Sequence, residues 1–551
     1  MKKLNDANTN YKINLIEYLI AFIVLITICF IVNKGIVLKG LFMDDLYSWS
    51  WFRGINIFEY AFKFYEGSSK YRPFYEALQY IIHALVDTAP TRYTFINKIL
   101  NSLTGLFIYF FSRKLKSGKL TSILISTLYI VGHYAYYQIG QAIGVLETAS
   151  LTFSIITLYY AVKLTGLINE DNKKRTLKEL NLNAYIMFLF YFITVFTHER
   201  FLGIAAPMFF AILFLEKYDK AKDKDIKNLK IKYIIIFFVE IIIILGLRMI
   251  AIGKVVPAGT GGTNVEETFK ISECIKYCFD QVKMVFGINI GPDYLFGIDF
   301  VSIKNPYIKI STYISMIIVI ITFIFYIIKK NKNDKNFIMD LLLLSFIAVC
   351  IGASSVTIRV ELRFVYVSFV GALLYLSYII AYLSDAYENS DKSINIKILS
   401  RRSNKNNINK KYDNKIRKNI FICNVKLLPL LLALLFFITR LPIELEYRKH
   451  YDKIYCYVDM KRMNSLYDNT IGKYGVDDTL HNKKIWVQNN FYGMTKFYSE
   501  YFFKIYDKEN IGNTINLYNV ITEVDLSDPI NTIVLEEDFP NNEYKEYIYI
   551  R

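Results

Sequence analysis

The sequence predicts an all-α polytopic membrane protein of about 11 transmembrane helices, followed by a small extracytoplasmic α/β domain at the C-terminus. Hydrophobic residues make up 54% of the 551 residues. Apolar runs such as 233–247 and 427–438 approach the roughly 20 helical residues that cross a hydrocarbon core. These runs are continuous rather than alternating, so they predict helices rather than strands. Lys and Arg cluster between the runs, as is typical of loops that set membrane topology.

Eleven apolar segments of helical length follow one another along the chain. We place them at 14–33, 93–112, 120–138, 145–163, 184–198, 200–216, 231–251, 311–328, 337–354, 364–384 and 425–442. A further short helix at 74–88 carries Glu76, Gln79 and His83 at spacings of three and four. This polar stripe predicts a helix that lies along the membrane interface.

The distribution of basic residues predicts the orientation. If 74–88 does not cross, half of the chain's 66 Lys and Arg fall on the side of the N-terminus. The short turns on the opposite side, 139–144 and 355–363, hold none and two. We therefore expect a cytoplasmic N-terminus and an extracytoplasmic C-terminus. If 74–88 crossed, every later basic loop would face outward.

The spans divide the chain into four predicted parts. A transmembrane catalytic module (1–384) carries outer loops at 34–92 and 252–310. A basic, flexible cytoplasmic linker (385–424) precedes the last span (425–442). The remainder (443–551) contains two strand-like runs, 483–490 and 531–538, and is interpreted as a small α/β domain.

Composition and motifs exclude several classes of protein. The net charge of +17 follows from topology-setting loops rather than from a nucleic-acid interface, and no nucleic-acid motif is present. Neither a GxGxxG nor a P-loop pattern occurs. The six cysteines lack the paired spacing of a zinc site.

Two motifs of charged residues flank the first outer loop. MDDLYSWSWF (43–52) places Asp44 and Asp45 next to the membrane. Like charges this close raise each other's pKa, which suits a general base or a cation site, whereas the alternative is a solvated acidic loop. SKYRPFYEAL (69–78) places Arg72 at the entrance of a helix. Its guanidinium can hold a phosphate by a bidentate fork, or can serve as an interface anchor.

Two further motifs fall at the same predicted boundary. FTHERFLGIAAP (196–207) places His198, Glu199 and Arg200 in an apolar hairpin, where charges are costly. Glu199 could pair with Arg200 and leave His198 for hydrogen bonding, or the three could form a self-neutralising turn cap. TIRVELRFVYVS (357–368) contributes Arg359, Glu361 and Arg363, the two arginines on one helical face. Arginines on the predicted outer side oppose the usual bias of Lys and Arg toward the cytoplasm. Their presence there therefore favours a role in anion binding.

The four motifs together suit displacement at a sugar anomeric carbon. A carboxylate would deprotonate the acceptor hydroxyl, and arginines would neutralise the departing lipid phosphate. A lipid donor explains both the membrane location and the missing nucleotide site. The alternative of a transporter or flippase for lipid-linked sugars predicts inverted repeats and charges near the midplane. The sequence shows neither, and a scaffold protein would not need arginines against the topology rule.

The order of these motifs resembles the GT-C superfamily of polyprenyl-phosphate-sugar-dependent glycosyltransferases, in particular the protein O-mannosyltransferase-like branch and its bacterial relatives. The resemblance spans roughly 10–385 and implies an inverting transferase of the cell envelope, whose acceptor is a glycan, lipid or protein. Asp44 and Asp45 match the family's acidic pair, one of them as the base. Glu199 matches the hairpin acid, although His198 stands where the family often has Lys.

We expect the donor phosphate to be bound by Arg72, Arg200, Arg359 and Arg363, with His198, Glu361 and Tyr366 as further site residues. Of these, the resemblance itself carries Arg72, Arg363 and Tyr366, and the others follow from the charge pattern. Arg363, Tyr366 and Ser368 match a late motif that Leu362 interrupts. Some family members need a divalent metal such as Mg or Mn, and the motifs leave this open. No metal ligands are assigned.

Overall fold

The computed structural model describes residues 2–62, 70–168, 176–219, 221–255, 269–330, 334–402, 410–489, 494–509 and 512–547, with the side chains of 2–14, 334 and 388–426 left out. The α-helices of the first half of the chain are Lys2–Val32 (α1), Met43–Ser50 (α2), Ile57–Ala61 (α3), Pro73–Val86 (α4), Thr91–Lys114 (α5), Lys119–Val131 (α6), Tyr136–Gly140 (α7), Val145–Leu164 (α8), Leu177–Thr197 (α9), Ala205–Leu213 (α10) and Asp223–Ile252 (α11). Those that follow are Ile271–Val285 (α12), Asp293–Phe296 (α13), Pro306–Lys329 (α14), Asp334–Ser355 (α15), Leu362–Arg402 (α16), Lys410–Arg448 (α17), Tyr455–Asn469 (α18), Ile471–Tyr474 (α19) and Lys496–Tyr501 (α20). Short 3-10 helices include His133–Ala135, Ala142–Gly144 and Glu199–Ile204.

Eight stretches in the described part of the chain are long and apolar enough to cross a membrane. They are Leu15–Val32, Ala142–Leu164, Leu177–Thr197, Asp223–Ile252, Pro306–Lys329, Lys335–Ser355, Leu362–Tyr387 and Leu427–Lys453. The other three predicted segments are also helical but are shorter or more polar: α6 has 13 residues, α10 has 9, and α5 contains Asn97, Lys98 and Asn101. The prediction of a polytopic all-α membrane protein is thus confirmed.

The candidate spans differ in how far the protein itself covers them. The protein buries 94% of the most apolar 18-residue stretch of Leu362–Tyr387. It buries 83% of the corresponding stretch of Ala142–Leu164. The corresponding fractions are 17% for Leu15–Val32 and 22% for Asp223–Ile252. Two central helices are therefore enclosed by peripheral ones, whose exposed apolar faces are suited to lipid.

The polar stripe of α4 faces the interior of the protein. Gln79 and His83 are fully buried, and His83 lies within hydrogen-bond distance of the Ser48 and Tyr93 hydroxyls. The exposed face is apolar and includes Phe74 and Leu85. The stripe satisfies polar groups inside the protein, so the apolar face is the one available to the membrane.

The backbone of the predicted linker 385–424 is mostly helical. Helix α16 extends to Arg402, and α17 begins at Lys410, while 403–409 lies outside the described residues. The stretch contains neither Gly nor Pro, so nothing in it interrupts the backbone hydrogen bonds of a helix.

The small C-terminal α/β unit is also confirmed. Its sheet has the order β2-β1-β3-β4, with strands Lys484–Gln488, Asn516–Tyr518, Thr532–Asp538 and Glu543–Glu546 as β1 to β4. Strand β1 pairs in parallel with β2 and β3, and β4 is antiparallel to β3. The strands β1 and β3 were predicted, whereas β2 and β4 are edge strands of three and four residues whose polar sequences carry no strand signal.

This unit packs on the loop that follows the first span. The side-chain oxygen of Asn464 in α18 accepts a hydrogen bond from the Lys39 backbone (2.7 Å), and the Tyr506 hydroxyl donates to the Lys39 carbonyl (2.6 Å). The loop between the first span and α2 is therefore held between the transmembrane helices and the C-terminal unit.

Candidate active site

The acidic pair lies at the start of α2, immediately after a strained residue. Met43 has a positive φ of 46°, which is costly for a residue with a side chain. Its backbone N–H donates to the Tyr498 hydroxyl of the C-terminal unit at 2.6 Å. The contact fixes the point from which Asp44 and Asp45 project.

The two carboxylates have different environments. Asp44 is exposed, whereas Asp45 is 1% exposed and its Oδ1 accepts from the Ile143 backbone N–H at 3.0 Å. Its Oδ2 is buried, with no hydrogen-bond partner in the described part of the chain. Burial is the main cause that raises the pKa of Asp45 to about 7, and the charge of Asp44 adds the least. The predicted mutual repulsion is therefore a minor effect.

Arg72 and Glu199 form a bidentate ion pair. The Nε and Nη2 of Arg72 donate to the two carboxylate oxygens of Glu199 at 2.7 and 2.9 Å. Burial raises the pKa of Glu199, but the charge and hydrogen bonds of Arg72, together with the charge of Arg248, lower it, and the net shift is downward. Glu199 is thus an ionised carboxylate that orients Arg72.

Arg200 does not pair with Glu199, as the hairpin sequence suggested, but with Glu147 in the first turn of α8. The Arg200 Nη2 lies 2.5 Å from one Glu147 oxygen, and the Arg363 Nε lies 3.7 Å from the other. Glu147 therefore joins two of the predicted motifs, and sequence reasoning missed it. The available signal was a lone carboxylate in an otherwise apolar span.

Glu361 lies between the last two arginines. Its carboxylate oxygens are 2.9 Å from the Arg359 Nε and 2.6 Å from the Arg363 Nε. Burial raises the pKa of Glu361, but the charges of Arg363 and Arg359 together lower it. The helix begins only at Leu362, so the arginines converge on one carboxylate instead of sharing a helical face.

His198 lies among these charges as a neutral ring. Its Nδ1 accepts a hydrogen bond from the Arg200 backbone N–H at 3.3 Å, and its Nε2 is 3.8 Å from Glu147. Burial first, and then the charges of Arg72, Arg200 and Arg363, place the pKa of His198 well below its usual range. A neutral imidazole adds no positive charge where arginines already converge.

We call this group the open ion cluster. Its members are Arg72, Glu147, His198, Glu199, Arg200, Arg359, Glu361 and Arg363. Four arginines face three glutamates, and the side chains of Arg359 and Arg363 remain 37% and 22% exposed. The cluster therefore has a net positive charge next to solvent, which suits an anion.

Tyr366 packs against α6. Its ring stacks on that of Tyr129 with centroids 4.8 Å apart, and its hydroxyl donates to the Tyr129 carbonyl at 2.8 Å. It joins α16 to α6, and its predicted place in the site stays a prediction.

Helix α18 reaches the space between the acidic pair and the open ion cluster. Its Cys456 Sγ accepts from the Gln141 Nε2 at 3.3 Å. The ring of Tyr455 lies 6.4 Å from that of Tyr137, over which the Arg363 guanidinium sits at 5.5 Å. The C-terminal unit thus contributes to the wall of the site.

Comparison with known proteins identifies distant structural similarity. No family model and no curated protein matches the chain. The archaeal oligosaccharyltransferase AglB from Archaeoglobus fulgidus, solved with an inhibitory peptide and a dolichol-phosphate, has a TM-score of 0.43 and 11% identity over 94% of this chain and 69% of its own. ArnT from Cupriavidus metallidurans in the apo state has a TM-score of 0.43 and 8% identity over 97% of this chain and 94% of its own. Similarity at this level assigns neither a family nor an activity.

No metal site emerges from the described residues, which contain no group of three or more His, Cys, Asp or Glu side chains able to hold an ion. The three glutamates of the open ion cluster are all within ion-pair distance of arginines. We therefore assign no step to a divalent metal.

A second group of charges, the sealed ion cluster, was missed by sequence reasoning. Glu444 accepts from the Arg440 Nε at 2.7 Å and from the His133 backbone N–H at 2.9 Å. The His133 Nδ1 lies 2.6 Å from the same carboxylate, and the side chains of the three residues are 0–2% exposed. The cluster joins α17 to the His133–Ala135 turn, so its role is structural.

Proposed function

We propose that this protein is a GT-C-type membrane glycosyltransferase. It transfers a sugar from a polyprenyl-phosphate donor to an extracytoplasmic acceptor with inversion at the anomeric carbon. The observation that carries the proposal is the open ion cluster together with an exposed carboxylate, Asp44, at one end of a helical bundle suited to lipid. Lys70 lies close enough to both Asp44 and Arg363 for their charges to shift its pKa. A lipid-linked substrate combines an apolar tail with an anionic group, and this end of the bundle offers surfaces for both.

The arginines of the open ion cluster are proposed to bind the donor phosphate. Arg359 and Arg363 are the partly exposed members, and Glu361 holds both in place. Arg72 stands at the N-terminus of α4, whose exposed face is apolar. The polyprenyl chain would lie along that face while the phosphate meets the arginines.

Asp44 is proposed as the general base because it is exposed, whereas the Oδ1 of Asp45 is hydrogen-bonded to the backbone of Ile143. Its carboxylate takes the proton of the acceptor hydroxyl, whose oxygen attacks the anomeric carbon. The bond between that carbon and the phosphate oxygen breaks, and the arginines neutralise the charge of the leaving phosphate. Asp45 positions the pair. A single displacement inverts the anomeric configuration.

The membrane orientation belongs to the same proposal. The positive-inside distribution places the N-terminus in the cytoplasm, and the open ion cluster, the C-terminal unit and the C-terminus outside. The acceptor, a glycan, lipid or protein of a bacterial cell envelope, would approach between α2 and the C-terminal unit. Tyr455, which is only partly buried, would lie on that path.

The test is sugar transfer by the purified protein in liposomes, supplied with a panel of radiolabelled polyprenyl-phosphate sugars and a crude cell-envelope acceptor. We expect Asp44→Asn to lower transfer by roughly 10² to 10⁴-fold, the usual contribution of a positioned base. Asp477→Asn, the same change at an exposed position of the C-terminal unit, serves as the matched control and should retain activity.

The outcomes separate the proposal from its alternative. Transfer by the wild type that Asp44→Asn abolishes supports the enzyme and identifies its donor. Full activity in Asp44→Asn would show that Asp44 is not the general base. Movement of a labelled donor across the bilayer, without transfer to any acceptor, would favour the transporter.

A further inference from the structure

A cavity of about 480 Å³ opens at the end of the bundle opposite the candidate active site. Helices α5, α8 and α16 begin near the active site, and the cavity lies at their far ends. Helices of 20 to 24 residues rise about 1.5 Å per residue, so roughly 30 Å separates the two sites.

The lining of the cavity is amphipathic. Among the lining residues that the structure describes, Lys116, Lys329 and Lys335 contribute three ammonium groups and Asp385 contributes one carboxylate. Leu115, Leu167, Ile168, Met339 and Ala381 supply an apolar wall. An excess of positive charge beside an apolar surface suits a ligand that has an anionic group and an apolar portion.

The polar wall is fixed by contacts between helices. The Tyr378 hydroxyl donates to the Asn336 side chain at 3.3 Å, and the Tyr382 hydroxyl donates to the Lys329 carbonyl at 3.2 Å. Beneath them, Asp340 accepts from the Tyr326 and Tyr375 hydroxyls at 2.8 and 3.1 Å. These bonds hold α14, α15 and α16 in register, so the cavity is formed in advance of binding.

The backbone places Lys116 at the mouth for a local reason. Its φ of 67° lies in the left-handed region that ends helices, and it immediately follows the C-cap residue of α5. The chain turns there toward α6, which leaves the lysine at the helix terminus rather than along the helix. Lys335 has the matching position, at the start of α15.

We propose that this cavity binds the headgroup of an anionic phospholipid in the leaflet opposite the candidate active site. The lysines would meet the lipid phosphate, and the apolar wall would meet the first part of its acyl chains. Basic pockets between helix ends recognise such headgroups by charge, and each lysine near the membrane surface contributes measurably to binding. The proposal does not depend on the glycosyltransferase activity, since it concerns a different end of the molecule.

The test measures how tightly the full-length protein, in a neutral detergent, binds short-chain phosphatidylglycerol. Binding is read out as the increase in the thermal stability of the protein. Phosphatidylcholine with the same chains, inorganic phosphate and a short polyprenyl phosphate are the comparison probes. We expect saturable stabilisation by phosphatidylglycerol, little by phosphatidylcholine, and little by inorganic phosphate because the apolar wall stays empty.

Two variants with opposite effects test the site. Lys116→Gln/Lys335→Gln should weaken phosphatidylglycerol binding by roughly tenfold or more. Asp385→Asn removes the opposing charge and should strengthen binding by a few-fold, so the proposal stays testable if the double variant folds poorly. Lys224→Gln/Lys227→Gln is the matched control, since these exposed lysines lie outside the cavity lining, and binding should be unchanged.

Three results would overturn the proposal. Equal affinity in the cavity and control double variants would place binding elsewhere. Equal stabilisation by inorganic phosphate would show a soluble-anion site rather than a lipid site. Tighter, cavity-dependent binding of the polyprenyl phosphate than of phosphatidylglycerol would assign the cavity to that lipid instead.

Discussion

The open and sealed ion clusters are built from the same residue types, Arg, Glu and His, yet they meet water to very different extents. In the sealed cluster, Arg440, Glu444 and His133 are 0–2% exposed. In the open cluster, Arg359 and Arg363 keep 37% and 22% of their side-chain surface. A buried charge that loses its partner has no solvent to replace it, whereas a partly exposed arginine can exchange a carboxylate for a phosphate. Exposure, rather than composition, is therefore what separates a structural cluster from a candidate binding site.

The largest expected effect tests this difference directly. Glu444→Gln leaves Arg440 buried without a counter-charge, and we expect a loss of about 3–5 kcal/mol in stability. Glu361→Gln is the matched change in the open cluster and should cost roughly 1–2 kcal/mol, because water can solvate its arginines. Unfolding of both variants in mixed micelles would measure the two losses. Equal losses would break the comparison, since the exposed cluster would then be structural as well.

A second test concerns Asp45, a buried carboxyl with no arginine partner among the residues that the structure describes. Its pKa is about 7 in the folded protein, against a usual 3.8, so the folded state retains a proton that the unfolded state has lost. Stability from this group is present below about pH 4 and is lost as pH rises to about 7. We expect about 2 kcal/mol of that loss between pH 5.5 and 7.

The measurement is the stability of wild type minus that of Asp45→Asn, followed across this pH range. The amide cannot ionise, so the difference should fall as pH rises. A difference that does not change with pH would mean that Asp45 is ionised throughout and stabilised by contacts other than those described.

The site was predictable from sequence only where charges stood out against their surroundings. The sequence singled out Arg72, Glu199, Arg200 and Arg363 because charges at a predicted membrane boundary need a reason, and the structure brings them into one ion cluster. Their pairing was not predictable, because Arg200 meets Glu147 across 53 positions of sequence and no spacing rule connects two helices. The sealed cluster was missed for the same reason, since Arg440 and Glu444 resemble an ordinary helical pair at i, i+4.

The fold was easier to predict because apolar length alone marks a span. The burial of the polar stripe of α4 was not predictable. Periodicity shows that a helix has two faces, but not which face meets protein. Gln79 and His83 face inward here, and only their tertiary partners show it.

A third test asks how much the open cluster contributes to donor binding. Arg363→Met should weaken binding of a polyprenyl-phosphate sugar by roughly tenfold. This is the loss in affinity expected when one partly solvated hydrogen bond between charged groups is removed. Arg363→Lys keeps the charge but loses the fork, so its loss should be intermediate. Equilibrium binding in an Asp44→Asn background measures affinity without turnover, and unchanged affinity in Arg363→Met would remove this residue from the phosphate site.

The smallest expected effect belongs to Arg359, which shares Glu361 with Arg363 but lies nearer to water. Arg359→Met should weaken donor binding by about threefold or less, since exposed ion pairs contribute under about 1 kcal/mol. The same assay also gives the salt dependence, which Arg359→Met should reduce because its charge acts through screened solvent. A loss in Arg359→Met larger than that in Arg363→Met would reverse the ranking. The donor phosphate would then lie at the outer edge of the cluster. In that case the more exposed arginine would contribute more to donor binding than the less exposed one, contrary to the ranking expected here.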